Sequence, residues 1–150
     1  MQVKELQKLD GRMRLAVVFS SGEEAIRGLT ELARKRQLPG AHFAGIGALR
    51  AAMLGFFDVS RKEYRRFGVD EQVEILSLIG NIALQDGGPK VHAHIVLGKY
   101  NGATLGGHLL EGHVRPTLEV VLVETPSHLR RTFDPASGLP LLNLSDSTEP

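Results

Sequence analysis

His92 and His94 are separated by one residue in Val91-His92-Ala93-His94. In an extended strand, residues two apart project from the same face, so this spacing predicts two imidazoles side by side. Neutral imidazoles grip a borderline cation such as Zn²⁺ at about 2.0–2.1 Å. A third ligand is available in His108, within Gly106-Gly107-His108-Leu109-Leu110. Asn101-Gly102 predicts a hairpin turn that folds this segment back beside His92 and His94. The two glycines remove side chains that would block a close approach. Three imidazoles leave one coordination position open, for a bound water or for the oxygen of a small ligand. The competing reading is a pair of hydrogen-bonded surface imidazoles.

Other candidates are weaker. Glu111 and His113 are read as solvated loop residues in a Leu-Leu-Glu-Gly turn, and His42 and His128 as isolated side chains. Glu119 heads a β-branched run and shares a strand face with Val121 and Val123. A carboxylate there either orients a ligating His or pairs with an Arg across a subunit interface. Arg61, Lys62, Arg65 and Arg66 make the most basic stretch, with Tyr64 among them. They could touch phosphates, and the plainer reading is a solvated hairpin tip. A cupin site needs a Glu four or five residues after the second His, where Gly98 and Lys99 stand. Gly45-x-Gly47 lacks the third Gly and the helix of a dinucleotide fingerprint, so a bulged strand is expected.

Composition narrows the classes. With no Cys among 150 residues, thiolate metal sites, disulfides and Cys nucleophiles are excluded. Eighteen Lys and Arg against seventeen Asp and Glu leave a net charge of +1, which argues against a nucleic-acid wrapper. Apolar residues at 42% suit a globular core. The first ten residues carry no apolar core like that of a signal peptide, and no apolar run approaches the ~18 residues that span a bilayer, so a cytoplasmic protein is expected.

The elements that must position the imidazoles are mostly strands. One helix is predicted from Gly22 to Gln37, with Ser21 as N-cap, Glu24 completing a capping box, and Leu38-Pro39-Gly40 as the stop. Strands are predicted at Arg14–Phe19, Ala41–Gly47, Ala51–Val59, Tyr64–Gly68, Val73–Leu84, Val91–Leu97, Leu118–Glu124 and within Leu139–Leu144. Gly80, inside a strand, predicts a bulge or a close approach. The pattern is α+β, a largely antiparallel sheet of about seven or more strands packed with one main helix. One domain over 1–144 and a loose tail over 145–150 complete the reading.

Taken in order, Gly45-Ile46-Gly47-Ala48-Leu49, Glu74 through Ala83, Val91-His92-Ala93-His94-Ile95, Gly102 through Leu109 and Pro116-Thr117-Leu118-Glu119 resemble the plants-and-prokaryotes conserved domain. The resemblance covers about Arg12 to Leu144. It implies one helix on a largely antiparallel sheet, a homotrimer, and a three-His metal site carried by His92, His94 and His108. Plant members add a separate AT-hook built on Arg-Gly-Arg-Pro, and no such tetrapeptide stands here. The function expected is therefore a trimeric domain that binds zinc or a small ligand. A DNA-associated regulator and a metal-dependent enzyme of unknown substrate are the alternatives. DNA binding without the hook is expected to be weak or absent.

Overall fold

The computed structural model describes residues 1–9, 12–125 and 128–145. The chain runs β1 (Gln2–Leu9), β2 (Arg12–Ser20), α1 (Ala25–Arg36), β3 (Ala41–Asp58), β4 (Glu63–Val69), β5 (Val73–Gln85), β6 (Gly88–Gly98), β7 (Thr104–Glu124), β8 (Arg131–Asp134) and β9 (Leu139–Leu142). Seven strands form one antiparallel sheet in the order β1-β2-β7-β6-β5-β3-β4, and β7 pairs with β3 as well. That extra pairing closes a ring. Val121 of β7 pairs with Ala44 of β3, Ala44 with Ile79 of β5, Ile79 with His94 of β6, and His94 with His108, which is again β7. The 21 residues of β7 therefore serve as a seam at both ends of the row. The row also delivers His108 to His94.

The core lies inside this ring and under α1. Leu15, Val17 and Phe19 of β2, Leu49 and Leu54 of β3, Leu78 and Ile82 of β5, Leu97 of β6 and Leu118 and Leu122 of β7 are fully or almost fully buried. Each such side chain contributes about 1.5–3 kcal/mol over an exposed one. The helix turns Ala25, Leu29, Leu32 and Ala33 inward and packs on β6 and β7. Arg34, Lys35 and Arg36 end it, which suits the negative end of its dipole. At 12 residues it is too short to cross a membrane.

Several sequence expectations change. Ser21 does not cap the helix. Glu24 does, with its carboxylate accepting from the Ile26 and Arg27 N–H groups and also from Gly112 N–H on β7. One side chain thus caps α1 and ties it to the sheet, while Ser21 Oγ donates to the Pro116 carbonyl. The segments expected as two strands at 41–47 and 51–59 are the single strand β3, with register shifts after Gly45, Gly47, Leu49 and Met53. Bulges broke the alternation that marks a continuous strand. Glu111 and His113 lie within β7, not in a loop. Strand β1 shows no apolar alternation in the sequence, because nearly every side chain of it is exposed, as suits a sheet edge. Residues 146–150 of the expected loose tail lie outside the described residues.

Candidate metal centre

Strand β6 alternates cleanly. Val91, Ala93, Ile95 and Leu97 are buried, and Lys90, His92, His94 and Val96 face outward. The hairpin to β7 turns through Asn101 and Gly102, where Gly102 adopts φ of 81° and Asn101 Oδ1 accepts from the Ala103 N–H. The returning strand pairs with β6 from Thr104 onward and passes through Gly106-Gly107. A Cβ on Gly106 would stand 2.6 Å from the Ile95 carbonyl oxygen on β6, and one on Gly107 would stand 2.9 Å from the Gly55 carbonyl oxygen on β3. Strands this close on both edges of β7 tolerate only glycine. The next residue is His108.

The structure brings His92, His94 and His108 together, with ring centroids 5.0–5.6 Å apart. One nitrogen from each ring lies within 4.8 Å of the others. The Nε2 atoms of His92 and His94 are 3.3 Å apart. Two nitrogens bound to one tetrahedral zinc at about 2.0–2.1 Å stand about 3.3–3.4 Å apart, so this pair already has the spacing of two ligands. Nδ1 of His108 is buried and has no hydrogen-bond partner. Burial, followed by the neighbouring His92 and His94, pushes the His108 imidazolium down to about 4. Burial, Arg131 and His94 lower that of His92 as well. Both rings are therefore neutral at pH 7, the form that offers a lone pair to a cation. An all-imidazole donor set with these spacings fits a divalent metal, zinc first.

Around the trio stand residues that sequence reasoning did not assign to it. The β8–β9 hairpin is seated on β5 through the Leu84 N–H donating to the Leu129 carbonyl at 2.7 Å, and it carries Arg131 to the cluster. Arg131 Nη2 donates to Asn81 Oδ1 at 2.7 Å and lies 3.2 Å from His92 Nδ1. Tyr64 packs beside His108, with ring centroids 5.2 Å apart. A groove of about 490 Å³ runs from His92 and His94 past Ile79, Gly80 and Asn81 to His42, Phe43 and Ala44. Lys90 was detectable, since it sits two residues before His92 on the same face. Arg131 carried no local signal, because its place depends on a hairpin docking some forty residues away in sequence.

The remaining candidates fall elsewhere. Glu119 pairs across β7 with Ile46 and Val18, eleven residues beyond His108, and the structure does not bring it to the imidazoles of its own chain. Glu111 is exposed, with one oxygen 3.8 Å from His113 Nε2. The basic stretch spreads out. Arg61 faces Asp58 and Glu63, Lys62 Nζ donates to the Pro135 carbonyl, and Arg65 and Arg66 are consecutive residues of β4, which point to opposite faces.

An antiparallel ring of strands with one helix and three imidazoles at a strand seam defines a small α+β domain with a metal-competent cluster. The chain belongs to the Plants and Prokaryotes Conserved (PCC) domain family, which it matches over residues 9–126. The metal-containing protein of Archaeoglobus fulgidus is 34% identical, with 87% of this chain and 92% of that one covered at a TM-score of 0.82. A Ralstonia eutropha protein designated as a candidate DNA-binding protein is 32% identical, with 87% and 90% covered and a TM-score of 0.82. The bifunctional protein GlmU of Synechococcus sp. (strain JA-3-3Ab) is 30% identical over 131 residues, which is 85% of this chain. The chain spans about 20% of the length of that relative.

Proposed function

We propose that this chain is a metal-binding domain that holds one divalent cation, zinc first, on His92, His94 and His108. We place it in the cytoplasm as a single domain over residues 1–144 that assembles as a homotrimer. The observation that carries the metal reading is the 3.3 Å between the Nε2 atoms of His92 and His94. The metal-containing Archaeoglobus relative supports it. Among the described residues no carboxylate joins the three imidazoles, which favours ligand binding over acid–base chemistry. The trimer rests on the family resemblance and on an outward sheet face that is apolar where solvent would favour polar groups. Ile46, Ile79 and Val121 are 62%, 58% and 51% exposed on adjacent strands, beside His94. A second copy is the occupant proposed for that face.

One sample tests both parts. Elemental analysis of protein purified with zinc should find about one zinc per chain, and light scattering should find three times the chain mass. Ile46→Asp sets a second carboxylate opposite Glu119 and should shift the mass toward the monomer with the fold kept. Absence of zinc ends the metal reading, and a monomeric wild type at micromolar concentration ends the trimer.

The Ralstonia designation motivates a DNA reading. Here the basic side chains are divided between two faces and partly paired, so we expect at most weak, electrostatic contact that falls steeply with salt. A sequence-selective gel shift that persists at high salt would overturn this.

A further inference from the structure

The trio accounts for three imidazoles and leaves Arg131 unexplained. Its guanidinium is half-buried. Nη1 donates to the Pro140 carbonyl at 3.2 Å, Nη2 is shared between Asn81 Oδ1 and His92 Nδ1, and Nε is buried with no partner. Among the described residues no carboxylate pairs with it. Burying a guanidinium without a counter-charge is costly, and Arg131 lies outside residues 9–126, over which the chain matches the family. Lys90 stands on the same outward row of β6 as His92 and His94, so a second cationic side chain shares that face. The surroundings are cationic before any metal arrives.

A metal changes the hydrogen bonding at His92. His92 meets His94 through Nε2, so a cation shared by the two takes the Nε2 lone pair, and the ring proton must then sit on Nδ1. A metal-bound imidazole ordinarily donates that proton to a carboxylate, a carbonyl or water. Here the group 3.2 Å away is a guanidinium, which only donates. In the metal-free chain the contact is satisfied, because Nδ1 accepts from Arg131. With metal on Nε2, two donors face each other with no acceptor between them. A planar group with two acceptor oxygens and one negative charge answers both, one oxygen on the guanidinium and the other on the imidazole N–H.

We propose that Arg131 and His92 Nδ1 form a binding site for a small carboxylate, and that metal loading of the trio opens it. This rests on the metal reading above. The metal and the carboxylate then strengthen each other's binding by the same factor. The β8–β9 hairpin is the element that supplies this second half of the site.

The test is calorimetric titration of acetate, with acetamide as the neutral isostere, into zinc-loaded and chelator-stripped protein. Zinc content, measured first, judges the metal reading separately; a chain that takes up no zinc ends that reading and this one with it. In zinc-loaded wild type, acetate should bind at least about tenfold more tightly than in stripped protein, and acetamide should not bind. Arg131→Ala at equal zinc content should lose about tenfold or more in acetate affinity. Arg131→Lys, which keeps the charge without the fork, should also bind acetate more weakly, and it decides the matter if the alanine variant does not fold. Equal acetate affinity in wild type and both Arg131 variants would place acetate on the metal alone and overturn the proposal. Equal affinity with and without zinc, or equal binding of acetamide, would overturn it too.

Discussion

Replacing His94 by Ala should lower zinc affinity by more than about 100-fold, since loss of even an outer partner of a ligand costs about 10–100-fold. The reason lies in the geometry. His94 shares the 3.3 Å Nε2 contact with His92 and pairs directly with His108 across β6 and β7, so its loss removes a ligand that adjoins both others. It is also exposed, so its truncation removes a ligand without opening a cavity in the core. Zinc at about 1,000 times its Kd should stabilise the wild type by about 4 kcal/mol and the variant by far less. Competition with a zinc-binding dye gives the affinity, and thermal melts with and without zinc give the stabilisation. Retention of wild-type zinc affinity by His94→Ala would show that the trio is only a cluster of surface imidazoles.

The trio was legible because its signal is local. A His-x-His pair on a strand and a third His after Asn-Gly need only strand alternation and a hairpin to meet, and β6 and β7 supply both. Helix α1 was legible for the same reason, although its cap was not. Ser21 suits a cap by residue type and Glu24 does not, and Glu24 prevails because its carboxylate reaches Gly112 of β7 as well as its own first turn. That contact spans 88 residues. The length of β3 and β7 was hidden by bulges and by Gly and Pro within the strands, which read locally as ends. Closure of the ring was illegible, since it requires β7 to pair with β2, β3 and β6 at once. Asn81 stands opposite His92 across the β5–β6 hairpin, within reach of the same local reasoning, whereas Arg131 was invisible as a site residue because tertiary docking alone brings it to the imidazoles.

Gly106→Val should destabilise the protein by about 1–3 kcal/mol or more, the range for forcing atoms into a packed interior, and should weaken zinc binding with it. The obstacle is backbone. A Cβ at this position meets the Ile95 carbonyl oxygen at 2.6 Å, and a carbonyl in a paired strand cannot rotate aside as a side-chain tip could. Relief requires β6 and β7 to separate just where His94 pairs with His108, so the same displacement that costs stability spreads the trio. Gly107→Ala should act likewise from the other edge of β7, where its Cβ would stand 2.9 Å from the Gly55 carbonyl oxygen of β3. Gly68→Ala is the control. It too adds a methyl to a strand glycine, but its Cβ finds only the Met53 side chain, at 3.8 Å. That variant should hold wild-type stability or gain a little, because Ala narrows the unfolded ensemble. Urea midpoints of the three variants, with zinc affinities beside them, separate the effects. If Gly106→Val and Gly107→Ala melted with the wild type and kept its zinc affinity, close packing of the β6–β7–β3 seam would not be what holds the three imidazoles together.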